Sequence, residues 1–152
     1  MEALHSRIRL RWALTRLAVA LVVGAVIAVV LVRFGRSPLG GAAVGGGLLA
    51  IGLVHTLLLY RSWRFAVESD ALELKRGVLT RVETAVPFVR IQHVDTQRGP
   101  LDRLLGLSSV VVYTAGSRGA DVTIPGLSPD RAEKLRNRLR DLAIESEPED
   151  AV

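Results

Sequence analysis

Cysteine is absent from the 152 residues. That excludes disulfides, thiolate metal sites and cysteine nucleophiles. Aromatic residues are scarce at 5%. Proteins that bind single-stranded nucleic acid stack bases on aromatic rings, so no nucleic-acid partner is expected despite the net charge of +5. Histidine occurs three times, as His5, His55 and His93, in three separate regions. That scatter argues against a histidine metal cage. No G-x-x-x-x-G-K or G-x-G-x-x-G stands at a strand–helix junction, so a nucleotide cradle has no support. A triad can be written from His93, Asp95 and Ser108 or Ser109, because His93 and Asp95 share a strand face. No nucleophile elbow accompanies it. Neither an enzyme nor a cofactor is expected.

Apolar residues, in contrast, make up 49% of a chain that is 23% charged, and mean hydropathy is +0.33. The excess sits in the first 60 residues. Trp12 to Val32 is apolar except for Thr15 and Arg16, and Leu39 to Tyr60 is broken only by His55 and Thr56. About 20 residues of helix cross a hydrocarbon core of about 30 Å. Two spans are therefore expected, at 12–32 and 39–60, after a basic N-terminus at 1–11. The short link from Arg33 to Pro38 makes them antiparallel neighbours. A cleaved signal peptide fits less well, because the first run is long, lacks a small-residue cleavage site and is followed by Arg33. Arg7, Arg9, Arg11, Arg16, Arg61 and Arg64 flank the outer ends, against Arg33 and Arg36 in the link. The positive-inside rule puts both termini in the cytoplasm, in a multi-pass protein of the cell membrane. His55 lies about one turn from the cytoplasmic end, where an imidazole can reach water, so a structural role is expected for it.

Small residues recur at four-residue spacing in both runs. Ala20, Gly24 and Ala28 lie in the first; Gly41 and Gly45 form a G-x-x-x-G pair in the second. Such spacing lets helix backbones approach closely in lipid. The groove serves either packing within one hairpin or assembly with a second copy or a partner subunit.

From Trp63 the pattern becomes β-like. Phe65 and Val67 alternate with charge, as do Leu72 and Leu74. Val78, Val82 and Val86 are expected on one face of a run ending at Pro87, followed by a strand from Val89 to Val94. Ser109 to Thr114 is the most strongly β-forming run and predicts burial on both faces. Ala115 to Gly119 is expected as a hairpin loop leading to a strand from Asp121 to Ile124. Pro100 to Gly106 reads as one helical turn with Gly106 as its left-handed cap. Ser128 caps a last helix, where Ala132, Leu135, Leu139 and Leu142 form one apolar stripe and the arginines a solvated face. The domain spans 61–144, and the acidic end at 145–152 is expected to be disordered.

Arg90-Ile91-Gln92-His93-Val94, the segment from Gly99 to Leu107, and Pro125-Gly126-Leu127 leading into the last helix resemble a known family. It is the bacterial pleckstrin-homology domain, or membrane-flanked domain, family of the YdbS-like type. The resemblance implies a two-helix transmembrane hairpin followed by a mainly β, pleckstrin-homology-like, partly open barrel plugged by a C-terminal amphipathic helix. It implies no catalytic activity. It also implies a partner, a larger multi-domain membrane protein of the same family.

The candidate ligand- or partner-binding residues are basic or polar. Arg90 and Gln92 would share a strand face, and Arg98 and Arg103 flank the Gly99-Pro100 corner. Converging near the membrane, they would bind an anionic lipid headgroup or an acidic segment. The alternative is that they only satisfy loop carbonyls. The expected function is a membrane-anchored, non-enzymatic binding or scaffold module for membrane protein partners and membrane lipid, with homo-oligomers as a further assembly. A small subunit of a transport or channel complex is the second reading, and it would need more polar groups at mid-span than His55.

Overall fold

The computed structural model describes residues 1–116 and 121–146. Its elements are α1 (Ile8–Arg33), α2 (Leu39–Ser62), β1 (Arg64–Val67), β2 (Ala71–Arg76), β3 (Val82–Pro87), a 3-10 turn (Phe88–Arg90), β4 (Ile91–Gln97), α3 (Pro100–Leu105), β5 (Ser108–Thr114), β6 (Val122–Leu127) and α4 (Pro129–Glu145). The expected loop at 115–119 and acidic end at 145–152 lie largely outside the described residues. The chain forms two compact units, Arg9–Arg61 and a second made of Met1–Ile8 with the residues from Ser62 onward.

In the first unit, α1 and α2 are 26 and 24 residues long and apolar enough to cross a bilayer. Their side chains point outward, with Val22 64% and Ile51 70% exposed. Surfaces this large and apolar suit lipid rather than water. Helix α1 starts at Ile8, a turn before the apolar run itself begins at Trp12. At this end the Arg9 guanidinium lies 4.9 Å from the centre of the Tyr60 ring.

The second unit holds two three-stranded antiparallel sheets, β1-β2-β3 and β4-β5-β6, without closure into a barrel. Helix α4 packs on β4, β5 and the 3-10 turn. Its Ala132, Leu135 and Leu139 are buried, beside a core that includes Phe65, Leu72, Phe88, Val110, Val112 and Ile124. The Ser128 hydroxyl caps α4 by accepting from the Arg131 N–H at 3.4 Å.

Three local expectations are corrected. Val78 is not in the run with Val82 and Val86; it lies in the loop of the β2–β3 hairpin, whose pairing starts at Arg76 and Val82. Only Val86 reaches the core, Val82 being 41% exposed. Phe88 to Arg90 is a 3-10 turn rather than the start of a strand. Pro87 ends the ladder there, because it has no N–H to give to a further pair. The last strand does not end at Ile124: Pro125, Gly126 and Leu127 extend β6 before they lead into the Ser128 cap of α4. A register shift between Ser108 and Val110 absorbs them.

The N-terminal residues are part of this domain. Glu2 pairs with Phe65 of β1 through N–H to O contacts of 2.6 and 3.1 Å, and the His5 N–H donates to the Gly126 carbonyl at 2.7 Å. The Arg131 guanidinium bonds the Glu2 carboxylate at 2.6 Å. Leu4 and Ile8 are buried, at 3% and 0% exposure. Gly126 has φ +65°, and a Cβ there would stand 2.7 Å from the Ile8 Cβ. Glycine thus meets two demands at once, a left-handed backbone and a seat for Ile8.

Replacing Gly126 with alanine is expected to cost about 2–4 kcal/mol, the left-handed penalty plus overpacking against Ile8. Ile8→Ala is expected to cost about 2–5 kcal/mol. Denaturant unfolding of the full chain in detergent measures both, and an unchanged midpoint for either variant refutes this packing.

Candidate functional site

The small residues of α1 and α2 meet each other. A Cβ on Gly41 would stand 2.5 Å from the Gly24 carbonyl and 2.6 Å from the Ala28 Cβ. A Cβ on Gly24 would reach the Gly45 Cα at 3.2 Å, and one on Gly45 would lie 3.1 Å from the Ala20 carbonyl. All five small residues therefore lie on one close seam inside the hairpin. Gly46 and Gly47 face open space. An apolar groove of about 580 Å³ runs along the seam. At the other end of α2, Gly52 lets the stem of Arg16 pass, its Cβ position lying 3.1–3.3 Å from three Arg16 carbons. A long arginine stem of this kind can carry its charge along the helix toward headgroups.

In the domain, the corner after β4 is built by local bonds. The Asp102 carboxylate accepts from the Gly99 N–H at 3.2 Å, Gly106 caps α3 at φ +64°, and the Asp102 carbonyl accepts from the Leu107 N–H at 2.7 Å. Arg98 Nε donates to the Leu107 carbonyl at 3.1 Å, which ties the end of β4 to the start of β5. The Arg7 guanidinium donates to the Leu105 carbonyl at 3.3 Å, a cation at a helix C-terminus.

The four candidate residues are not brought together. Arg90 sits on the 3-10 turn and Gln92 on β4, so they do not share a strand face. Gln92 falls at a bulge, because pairing shifts between Ile91 and His93. Arg98 and Arg103 lie past the far end of β4, six or more residues from Gln92 and so about 20 Å along an extended strand. Gln92 instead helps to line a groove of about 450 Å³ between β4 and α4, with His93, Asp95, Arg136 and Arg140. The solvated-face reading of α4 concealed Arg136 and Arg140; their four-residue spacing places them on one side of the helix. His93 Nε2 and Asp95 Oδ1 are 2.8 Å apart. The Ser108 hydroxyl donates to the Gln97 carbonyl at 3.3 Å and so is committed elsewhere. Ser109 pairs with Gln97, several rungs from His93 and Tyr113. The paper triad is not assembled.

The family model of the bacterial PH domain matches residues 12–143, hairpin and domain together. The chain belongs to this bacterial PH domain family. Among curated proteins it is similar to the UPF0699 transmembrane protein YdbS of Bacillus subtilis strain 168, with 30% identity over 67% of this chain and 65% of YdbS. It also matches the UPF0699 transmembrane protein YdbT of the same organism, with 23% identity over 64% of this chain and 20% of YdbT. The chain thus spans less than two thirds of either relative's length. No solved structure matches it.

For this bacterial PH domain protein, the seam makes a sharp prediction. Gly41→Ala puts a methyl into the Gly24 carbonyl and should lower hairpin stability by about 1–3 kcal/mol. Gly46→Ala, with room around it, should leave it unchanged. Thermal unfolding in one detergent compares them, and equal effects contradict the seam.

Proposed function

We propose that the protein is a membrane-anchored, non-enzymatic binding module whose PH-like domain assembles with membrane protein partners at the cytoplasmic surface. One observation carries this reading. The domain is built from residues before α1 and after α2, so the hairpin tethers it at both ends. Both ends of the hairpin then emerge on one side, and six arginines at those ends against two in the link favour the cytoplasm. Tethering raises the effective concentration of the domain for anything else confined to that surface.

The partner suggested by kinship is a larger membrane protein with repeated domains of this kind. Support comes from YdbT, of which the matched region is only 20%. The domain offers the β4–α4 groove for such an assembly, and the open face around Gly46 and Gly47 offers a second surface within lipid. Anionic lipid is a further ligand for the arginines near the corner.

Chemical cross-linking in native membranes followed by affinity purification tests the assembly. A larger multi-domain membrane protein should be recovered with the chain. Recovery of self-oligomers alone, conducting ions once reconstituted in liposomes, would replace this reading with a pore.

A further inference from the structure

A second groove opens on the other flank of α4. Arg136 and Arg140 line the cavity beside β4. Arg131, Lys134 and Arg138, spaced by three and four residues, line a separate cavity of about 240 Å³ between α4 and β1. Phe65 and Val67 of β1 and Leu135 of α4 give it apolar walls. Pockets for drug-sized ligands are larger, at about 300–1,000 Å³. This one has room for a side chain and the backbone that carries it.

The chain already places such a group there. The Glu2 carboxylate lies 2.6 Å from Arg131 Nη2, and the Ala3 carbonyl accepts from the same guanidinium at 3.4 Å. Glu2 also exchanges two backbone hydrogen bonds with Phe65. Residues 1–3 thus show a mode of recognition, in which an extended segment pairs with the edge of β1 and offers α4 a carboxylate. They use only part of the groove, because the bridge is the single pair Glu2 and Phe65. Edge-facing backbone groups alternate along a strand, so the next to face this edge are those of Val67. Among the described residues nothing bonds them there. Lys134 and Arg138 are exposed, and among the described residues neither meets a carboxylate. An open strand edge beside two uncompensated cations is complementary to a strand that brings negative charge.

We propose that the β1–α4 groove docks an acidic, extended segment of a protein partner. The backbone of that segment pairs with Val67, and its carboxylates meet Lys134 and Arg138 as Glu2 meets Arg131. The inference rests on the binding-module reading and names the chemistry of the partner.

The test uses the full chain in detergent micelles and a short fluorescein-labelled peptide alternating glutamate and valine. Polarisation of the peptide should rise as the chain is added at low salt and fall back as salt is raised. Lys134→Glu and Arg138→Glu, made separately and each required to keep the parent's unfolding midpoint, should weaken binding about three- to tenfold. Arg81→Glu, the same change of charge in the exposed β2–β3 loop, should leave it unchanged. The peptide N-methylated along its backbone should bind less, because it has no N–H to give the Val67 carbonyl. Equal effects of all three substitutions, or no binding by the parent, overturn the inference. Binding of soluble short-chain phosphatidylglycerol in place of the peptide, lost in the Lys134 and Arg138 variants, also overturns it and assigns the cations to a lipid headgroup. Cross-linked complexes purified from native membranes separate this inference from the broader reading. A multi-domain partner recovered equally with the parent and both variants refutes the groove alone, whereas no partner with the parent refutes the binding module.

Discussion

Ile8 is the residue on which the architecture turns. It closes the hydrophobic core of the PH-like domain, at 0% exposure, and it opens the first apolar helix. One side chain thus couples a packed interior to a membrane anchor. Burial of an isoleucine is worth about 1.5–3 kcal/mol, a large part of the marginal stability of a small domain. The seat that receives it exists only because residue 126 is glycine. Without the N-terminal segment, the edge of β1 at Phe65 would lose its partner Glu2, and an open strand edge invites wrong pairing.

The same dependence explains what could be read from the sequence. Hairpin helices, the two-sided burial of β5, the Gly106 cap and the Ser128 cap are local, and their residues announce them. Packing of the small residues within the hairpin was one of two readings the sequence left open; that Gly24 meets Gly41 comes from the structure. What could not be read is tertiary. Nothing in Met1 to Ile8 looks like part of a β domain, since its partners lie as much as 129 positions away. The 3-10 turn at Phe88 and the bulge at Gln92 took Arg90 off its expected face, and a shift of one residue there is enough to change what it points at. Arg136 and Arg140 were visible as charges, but the strand opposite them was not.

The site is correspondingly distributed. Seam, corner and groove are three different surfaces, built by van der Waals approach, by backbone capping and by charge. The groove gathers His93, Asp95, Arg136 and Arg140, the corner holds Arg98 and Asp102, and the seam is made of small apolar residues. In the proposed function these surfaces serve recognition of something large and two-dimensional, or of another protein confined beside it. Membership of the bacterial PH domain family fits that character, while the fold alone leaves the ligand open.

Clasping residues 1–8 into the domain has a consequence for biosynthesis. The first residues leave the ribosome many seconds before β6 and α4 do, at about 5–20 residues per second. Until then Leu4 and Ile8 have no core to enter. If only one of the two spans entered the membrane, residues 1–8 and Gly126 would lie on opposite faces and the clasp could never shut. Closure of the domain therefore reports that both spans are in place, and chains with one span left out would carry an unfinished domain that quality-control proteases can recognise.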